Sequence, residues 1–143
     1  MESFFEYLNN EKYSDFILVC TDKVEIPVHR VILAQKSQVF AKMFEIDMCE
    51  KTDKKALLGD INSKTMLEVL RFIYTGRSQL NCVNLASSVL YAAEKYHLYE
   101  LKCQSIAALI EKVSKDTALD ILKVADLFIE VELEEKCLSI ILA

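Results

Sequence analysis

Between Tyr13 and Phe44 the chain reads YSDFILVCTDKVEIPVHRVILAQKSQVFAKMF, and no other segment constrains the fold as strongly. Phe16 to Cys20 is a short apolar run, broken by the polar Thr21-Asp22-Lys23. Val24–Pro27 then predicts a second strand, so the two runs form a hairpin across that break. The second strand ends at Pro27, the only proline in the chain. A helix is expected over Arg30–Ala34, with His29 and Arg30 at its mouth, and a second over Gln38–Phe44. From Glu45 to Lys55 charges dominate, which predicts a loop. Strand, turn, strand and two helices make a compact βαα unit with its polar pair at a fixed place.

The rest of the chain is helical in pattern. Only two glycines punctuate 143 residues, which favours helices with short joints over a turn-rich β architecture. Residues 3–8 predict a short helix with Phe4, Phe5 and Leu8 on one side and Ser3 as its cap. Such a helix is too short to be stable alone, so it must pack on its own domain or on a partner. Ala56–Leu58 predicts a third strand ending at Gly59-Asp60. Ser63 to Tyr74 carries Met66, Leu67, Leu70 and Ile73 on one face and is stopped by Gly76. Residues 84–96 repeat the pattern through Leu85, Val89, Ala92 and Tyr96. Leu101 to Val113 is expected to turn Cys103, Ile106, Ala107 and Ile110 inward. Ser114 is the expected cap of a further helix striped by Ala118, Ile121, Leu122, Ala125 and Phe128. A last helix from about Glu130 exposes Leu133, Cys137, Ile140 and Ile141, as the edge of an incomplete second unit would. The expected fold class is α+β, a small three-stranded sheet flanked by helices and followed by a C-terminal helical pair.

Charge and composition exclude several functions. Apolar residues make up 52% of the chain, enough for a real core. A net charge of −5 with scattered lysines argues against binding a phosphate backbone, so no nucleic-acid partner is expected. Lys51, Lys54 and Lys55 form one small basic group, flanked by aspartate, that reads as a solvated loop. No run approaches the ~18 apolar residues of a membrane span, and the start of the chain has no basic region of a secretory signal. The five cysteines have no close spacing and no histidine beside them, so no metal site is expected. Cys20, Cys103 and Cys137 lie in apolar patterns, whereas Cys49 and Cys82 sit in polar surroundings. An odd count without a signal sequence reads as reduced and intracellular. Two separated histidines, His29 and His97, supply no catalytic dyad. Neither an oxyanion loop nor a Gly-rich turn is evident, so no enzyme and no cofactor is expected.

Four segments in order carry a family likeness. Ser14-Asp15, His29-Arg30, Leu33-Ala34, Ser37, Phe40 and Met43-Phe44 resemble the opening of a BTB/POZ domain. LEVLRFIYTGR, Leu67 to Arg77, is similar to that family's third-helix signature. NLASSVLYAAEKYHLYELKCQ, Asn84 to Gln104, resembles the two helices that follow, and ILKVADLF at Ile121–Phe128 looks like the start of the BACK, or 3-box, extension. The resemblance implies a BTB/POZ domain over 1–113 and partial BACK helices over 114–143. Within the family the run VFAKMFEIDMCEKTDKKALLGDI is closest to the speckle-type POZ (MATH-BTB) cullin adaptors. The loop Arg77–Val83 departs from that group by about one residue. No long strand precedes Tyr13, so strand exchange between subunits is not expected. No MATH, kelch or zinc-finger pattern is read within these 143 residues, so the substrate-reading part is expected to be missing, carried elsewhere or supplied by a partner.

The resemblance also implies roles for named residues. Members of the family form homodimers, and Phe4, Phe5, Leu8, Val31, Leu33 and Ala34 are the expected dimer interface. Asp15 and Arg30 match the family's charged pocket near the dimer floor, and they suit equally a structural ion pair between strand and helix. Cullin-binding members carry an apolar-x-Glu motif after the second helix, which Met48-Cys49-Glu50 fits. Met48 and Glu50, with the surface from Leu101 into the last helices, are the expected cullin side. The implied function is a dimeric adaptor that joins a cullin, and through it a ubiquitin ligase, to an unknown substrate protein in the cytoplasm or nucleus. The alternative is an oligomerisation module for transcription or scaffolding with no cullin contact. No membrane partner is implied.

Overall fold

A computed structural model describes residues 4–50, 54–127 and 131–142. Strand β1, Phe16–Val19, pairs antiparallel with β2, Glu25–Val28, in the register Phe16 to Val28 and Val19 to Glu25. Strand β3, Lys55–Leu57, lies parallel to β1 on its other side, giving the order β2-β1-β3. The alternation that predicts the hairpin also sorts its faces. Phe16, Leu18, Ile26 and Val28 are buried, and Ile17 and Val19 point to the opposite face. Pro27 is tolerated because β2 is an edge, where its missing N–H leaves no ladder bond unmade.

The described residues form seven α-helices, the first two between β2 and β3 and the rest after β3: α1 Arg30–Lys36, α2 Gln38–Glu50, α3 Ser63–Thr75, α4 Val83–Lys95, α5 Tyr99–Glu111, α6 Ala118–Leu127 and α7 Val131–Ile141. Ser37 breaks α1 from α2: its hydroxyl donates to the Tyr96 carbonyl at 2.7 Å and accepts from the Phe40 N–H at 3.2 Å. One buried side chain thus caps α2 and ties it to the end of α4. Asn62 caps α3 by accepting from the Thr65 N–H, and Gly76 ends it at φ 82°, in the left-handed region where a Cβ is strained. Phe40 stacks on Tyr96 with ring centroids 4.3 Å apart, and Phe44 meets Phe16 edge-on at 4.9 Å. These contacts join sheet, α2 and α4 into one core. Among the described residues none is a hydrogen-bond partner of the buried Tyr96 hydroxyl.

Several expectations need correction. Helix α2 does not stop at Phe44 but continues to Glu50, so Met48-Cys49-Glu50 is the last turn of a helix, not a loop. Charged residues do not by themselves end a helix, and residues 45–50 contain no glycine or proline to do so. In α5 the buried face is Leu101, Ser105 and Leu109, while Cys103 and Ala107 are exposed. That helix is apolar on most sides, so its period alone did not fix which side faces in. Ser114 does not cap α6; it opens a turn in which Thr117 Oγ1 accepts its N–H at 2.9 Å, and the helix starts at Ala118. Cys137 is buried rather than exposed, and with Ile121 it belongs to the same core as the sheet. The cap expected at Ser3 and the side chains of Ala125, Phe128 and Leu133 lie outside the described residues.

Candidate protein-interaction surface

The hairpin and α1 meet where two charged residues interlock. Asp15 precedes β1, and its N–H donates to the Val28 carbonyl at 3.1 Å. Its Oδ1 accepts the Arg30 N–H at 2.8 Å and its Oδ2 accepts Arg30 Nε–H at 3.1 Å. One carboxylate therefore caps the start of α1 and pairs with its first side chain, a job that His29 at the N-cap leaves undone.

His29 is committed to the core instead. Its Nε2 lies 2.7 Å from the Lys12 carbonyl and its Nδ1 2.8 Å from Tyr74 Oη, while its backbone N–H donates to the same Oη at 3.0 Å. A carbonyl can only accept, so Nε2 carries the proton. Nδ1 then accepts from Tyr74, whose oxygen accepts in turn from the His29 N–H. Burial pushes the Tyr74 hydroxyl up to about 12. This closed circuit joins the N-terminal segment, the hairpin and α3, as does the Phe4 N–H donating to the Tyr74 carbonyl at 2.9 Å. It fixes the short 3-10 turn Phe5–Tyr7 beside α1.

The result is an exposed apolar face. Val31 is 76% exposed and Phe5 56%, with Phe4 and Tyr13 also open to solvent. Val31 forms a ridge between two hollows that share Asp15. One, of about 330 Å³, is lined by Phe4, Tyr7, Tyr13, His29, Ile32 and Gln35; the other, of about 610 Å³, by Arg30, Ala34, Ala41, Phe44 and Glu45. Tyr13 adopts φ 63°, an unusual conformation for an aromatic residue, and Lys12 Nζ lies 5.4 Å over its ring.

The expected interface residues separate accordingly. Phe4, Val31 and the half-buried Ala34 line these hollows, whereas Phe5, though exposed, and Leu8, packed against the core, do not. Leu33 does not belong with them: it is 0% exposed, because at helical spacing it lies on the side of α1 opposite Val31. Leu101 is likewise wholly buried, so it offers no surface. Met48 and Glu50 stand in the last turn of α2, and their side chains lie outside the described residues. Tyr13, which no helical or strand period singled out, joins the face through the turn before β1.

Among the described residues no group of three or more His, Cys, Asp or Glu side chains could hold a metal, and no helix is long and apolar enough to cross a membrane. His97 is exposed at φ 55° and far in sequence from His29.

The BTB/POZ domain family model matches residues 4–113. The BTB domain of zebrafish PATZ1 is similar in structure, with a TM-score of 0.60 at 19% identity over 75% of this chain and 91% of that one. The BTB (Tramtrack and Bric a brac) domain of human Gigaxonin has a TM-score of 0.57 at 30% identity, over 66% of this chain and 76% of that one. Sheet order, helix succession and a family match across most of its length agree that this chain belongs to the BTB/POZ family, whose domains mediate protein–protein interaction and oligomerisation.

Proposed function

We propose that the chain is a homodimeric adaptor that docks a cullin scaffold and delivers a bound substrate protein to a ubiquitin ligase. The observation that supports it is the face around Phe4, Val31 and Ala34, where exposed apolar side chains line two adjoining hollows. A twofold axis through that face buries the same side chains on both copies. The Asp15–Arg30 pair at its floor holds α1 on the hairpin and keeps Val31 presented.

The cullin arm rests on the apolar-x-Glu spacing of Met48-Cys49-Glu50 within a domain of this family. Positions two apart on a helix do not share a side. Gripping through Met48 and Glu50 together therefore goes with opening of the last turn of α2. The helices from residue 114 onward act as the beginning of a BACK extension and widen the cullin side. The same helical position favours a second reading, an oligomerisation module for transcription or scaffolding with a silent 48–50 segment.

Titration of the chain and its Glu50→Lys variant against a cullin N-terminal domain separates the two. Submicromolar binding that the substitution abolishes supports the adaptor; no binding by the unsubstituted chain sinks it. Val31→Asp tests the dimer at concentrations too low for a weaker contact: mass in solution falls to that of one chain, and an unchanged dimer mass there rules out this face.

A further inference from the structure

The outer face of the sheet carries a pattern of its own. The register sets six side chains in a grid: Glu25, Val19 and Leu57 in one row, Pro27, Ile17 and Lys55 in the next. Charges of opposite sign occupy two diagonal corners, and their long side chains meet across the middle strand, Lys55 Nζ donating to Glu25 Oε1 at 2.7 Å. Below this strap lie the half-buried Ile17 and Val19. The other two corners are apolar, and Leu57 is 83% exposed, the most exposed large aliphatic residue described. Opposite charges at one pair of corners and apolar groups at the other make the face complementary to itself.

We propose that this sheet face is a second, weak self-association surface, distinct from the α1 face, whose partner is another copy of the same chain. A twofold axis lying between two such faces along the Pro27–Leu57 diagonal exchanges the remaining corners. Glu25 of each copy then lies over Lys55 of the other, Leu57 meets Leu57, and Ile17 and Val19 pack centrally. Strands are about 4.8 Å apart and rise about 3.4 Å per residue, so the diagonal runs roughly 55° from the strand direction and the two sheets cross at roughly 70°. That is close to orthogonal sheet packing. The two Lys55–Glu25 pairs, one within each copy, are exchanged for two between copies, and the aliphatic side chains beneath lose their contact with water.

Six residues a side fall well short of a stable interface, so the contact is weak when only one is made. It gains strength when the α1 face has already joined two chains, because a dimer presents two sheet faces. The proposal thus builds on the dimer, yet its own contact exists without it. Two isologous surfaces on different faces let dimers join further dimers.

A charge exchange tests it. Glu25→Lys and Lys55→Glu each put like charges at every intermolecular corner, whereas the two variants mixed restore opposite charges at both. Sedimentation velocity of the unsubstituted chain should show species above the dimer that grow with concentration. Each single variant and Leu57→Asp should stay at the dimer, and an equimolar mixture of Glu25→Lys with Lys55→Glu should regain the larger species. In a Val31→Asp background the unsubstituted sheet face should still give weak dimers, which separates failure of the α1 interface from failure of this one. A mass that stays at the dimer at all concentrations, or larger species that survive Leu57→Asp and both charge variants, overturns the proposal. Far-UV circular dichroism and urea midpoints check that the three exposed substitutions leave the fold intact.

Discussion

Replacing Tyr74 by phenylalanine removes one oxygen atom from the core and strands two polar groups of His29. The His29 N–H and Nδ1 both use Tyr74 Oη, at 3.0 and 2.8 Å, and both residues are buried. A buried group left without a partner costs about 1–3 kcal/mol, so two that share one partner cost together about 3 kcal/mol. With an unfolding entropy of about 2.1 cal/mol/K per residue, that loss lowers Tm by about 10 °C. Urea unfolding followed by circular dichroism reads the change as a lower midpoint at unchanged slope. The hydroxyl also leaves a signature at high pH. Its folded pKa is raised from 10.0 to about 12, chiefly by burial, so the neutral form is favoured by folding. That contribution is fully present below pH 10 and is lost as the pH rises toward 12. Tyr74→Phe therefore flattens the decline of stability over that range relative to the unsubstituted chain. A destabilisation under about 0.5 kcal/mol with an unchanged alkaline slope would refute the circuit, because it would mean that other groups satisfy His29.

Three further outcomes are expected. Gly76→Ala loses about 1 kcal/mol in urea unfolding although nothing lies within 4 Å of the added methyl, because φ 82° is strained for any L side chain; a neutral result would place the cost elsewhere. Brief labelling with a thiol reagent, mapped by peptide mass spectrometry, modifies the exposed Cys82 and Cys103 well before the buried Cys20 and Cys137. Burial, assisted by Asp22, pushes the Cys20 thiol up to about 11, so early labelling there would contradict the packing of β1. Asp60 accepts from Lys95 and Tyr91, which together hold its carboxyl below the ordinary 3.8. Asp60→Asn costs under about 1 kcal/mol at neutral pH because the pair is partly exposed, and the difference from the unsubstituted chain shrinks as the pH falls below 3.8; a gap that persists in strong acid would show that charge is not its source.

Much of this was legible before any coordinates. The hairpin, the presence of a break between α1 and α2 and the stop at Gly76 were readable locally, from alternation, helical period and a residue free to take positive φ, whereas the Ser37 hydroxyl that caps α2 was not singled out for that role. The likeness of four ordered segments gave the fold, and it paired Asp15 with Arg30. The errors at α2 and α5 share one cause. A helix written in charged residues, as at 45–50, or in apolar residues on most sides, as in α5, has no contrast for its period to display. Apolarity alone does not say on which side of α1 a residue stands, and Leu33 is buried while Val31 is exposed. The circuit of His29, Tyr74 and Lys12 had no signal at all, since its members are far apart in sequence and one contributes only a carbonyl.

The sequence by itself determined the kind of element formed at almost every point and the family to which the chain belongs, because those depend on neighbours three or four residues away and on motif order. Only the tertiary structure decided which apolar residues are core and which are surface. It turned Leu33 and Leu101 inward, left Val31, Phe5 and Leu57 outside, and set Glu25 over the middle strand to meet Lys55. Those outcomes depend on what packs against each element from elsewhere in the chain. Burial is a property of the assembled layers, and an interaction surface is what remains when the layers have closed.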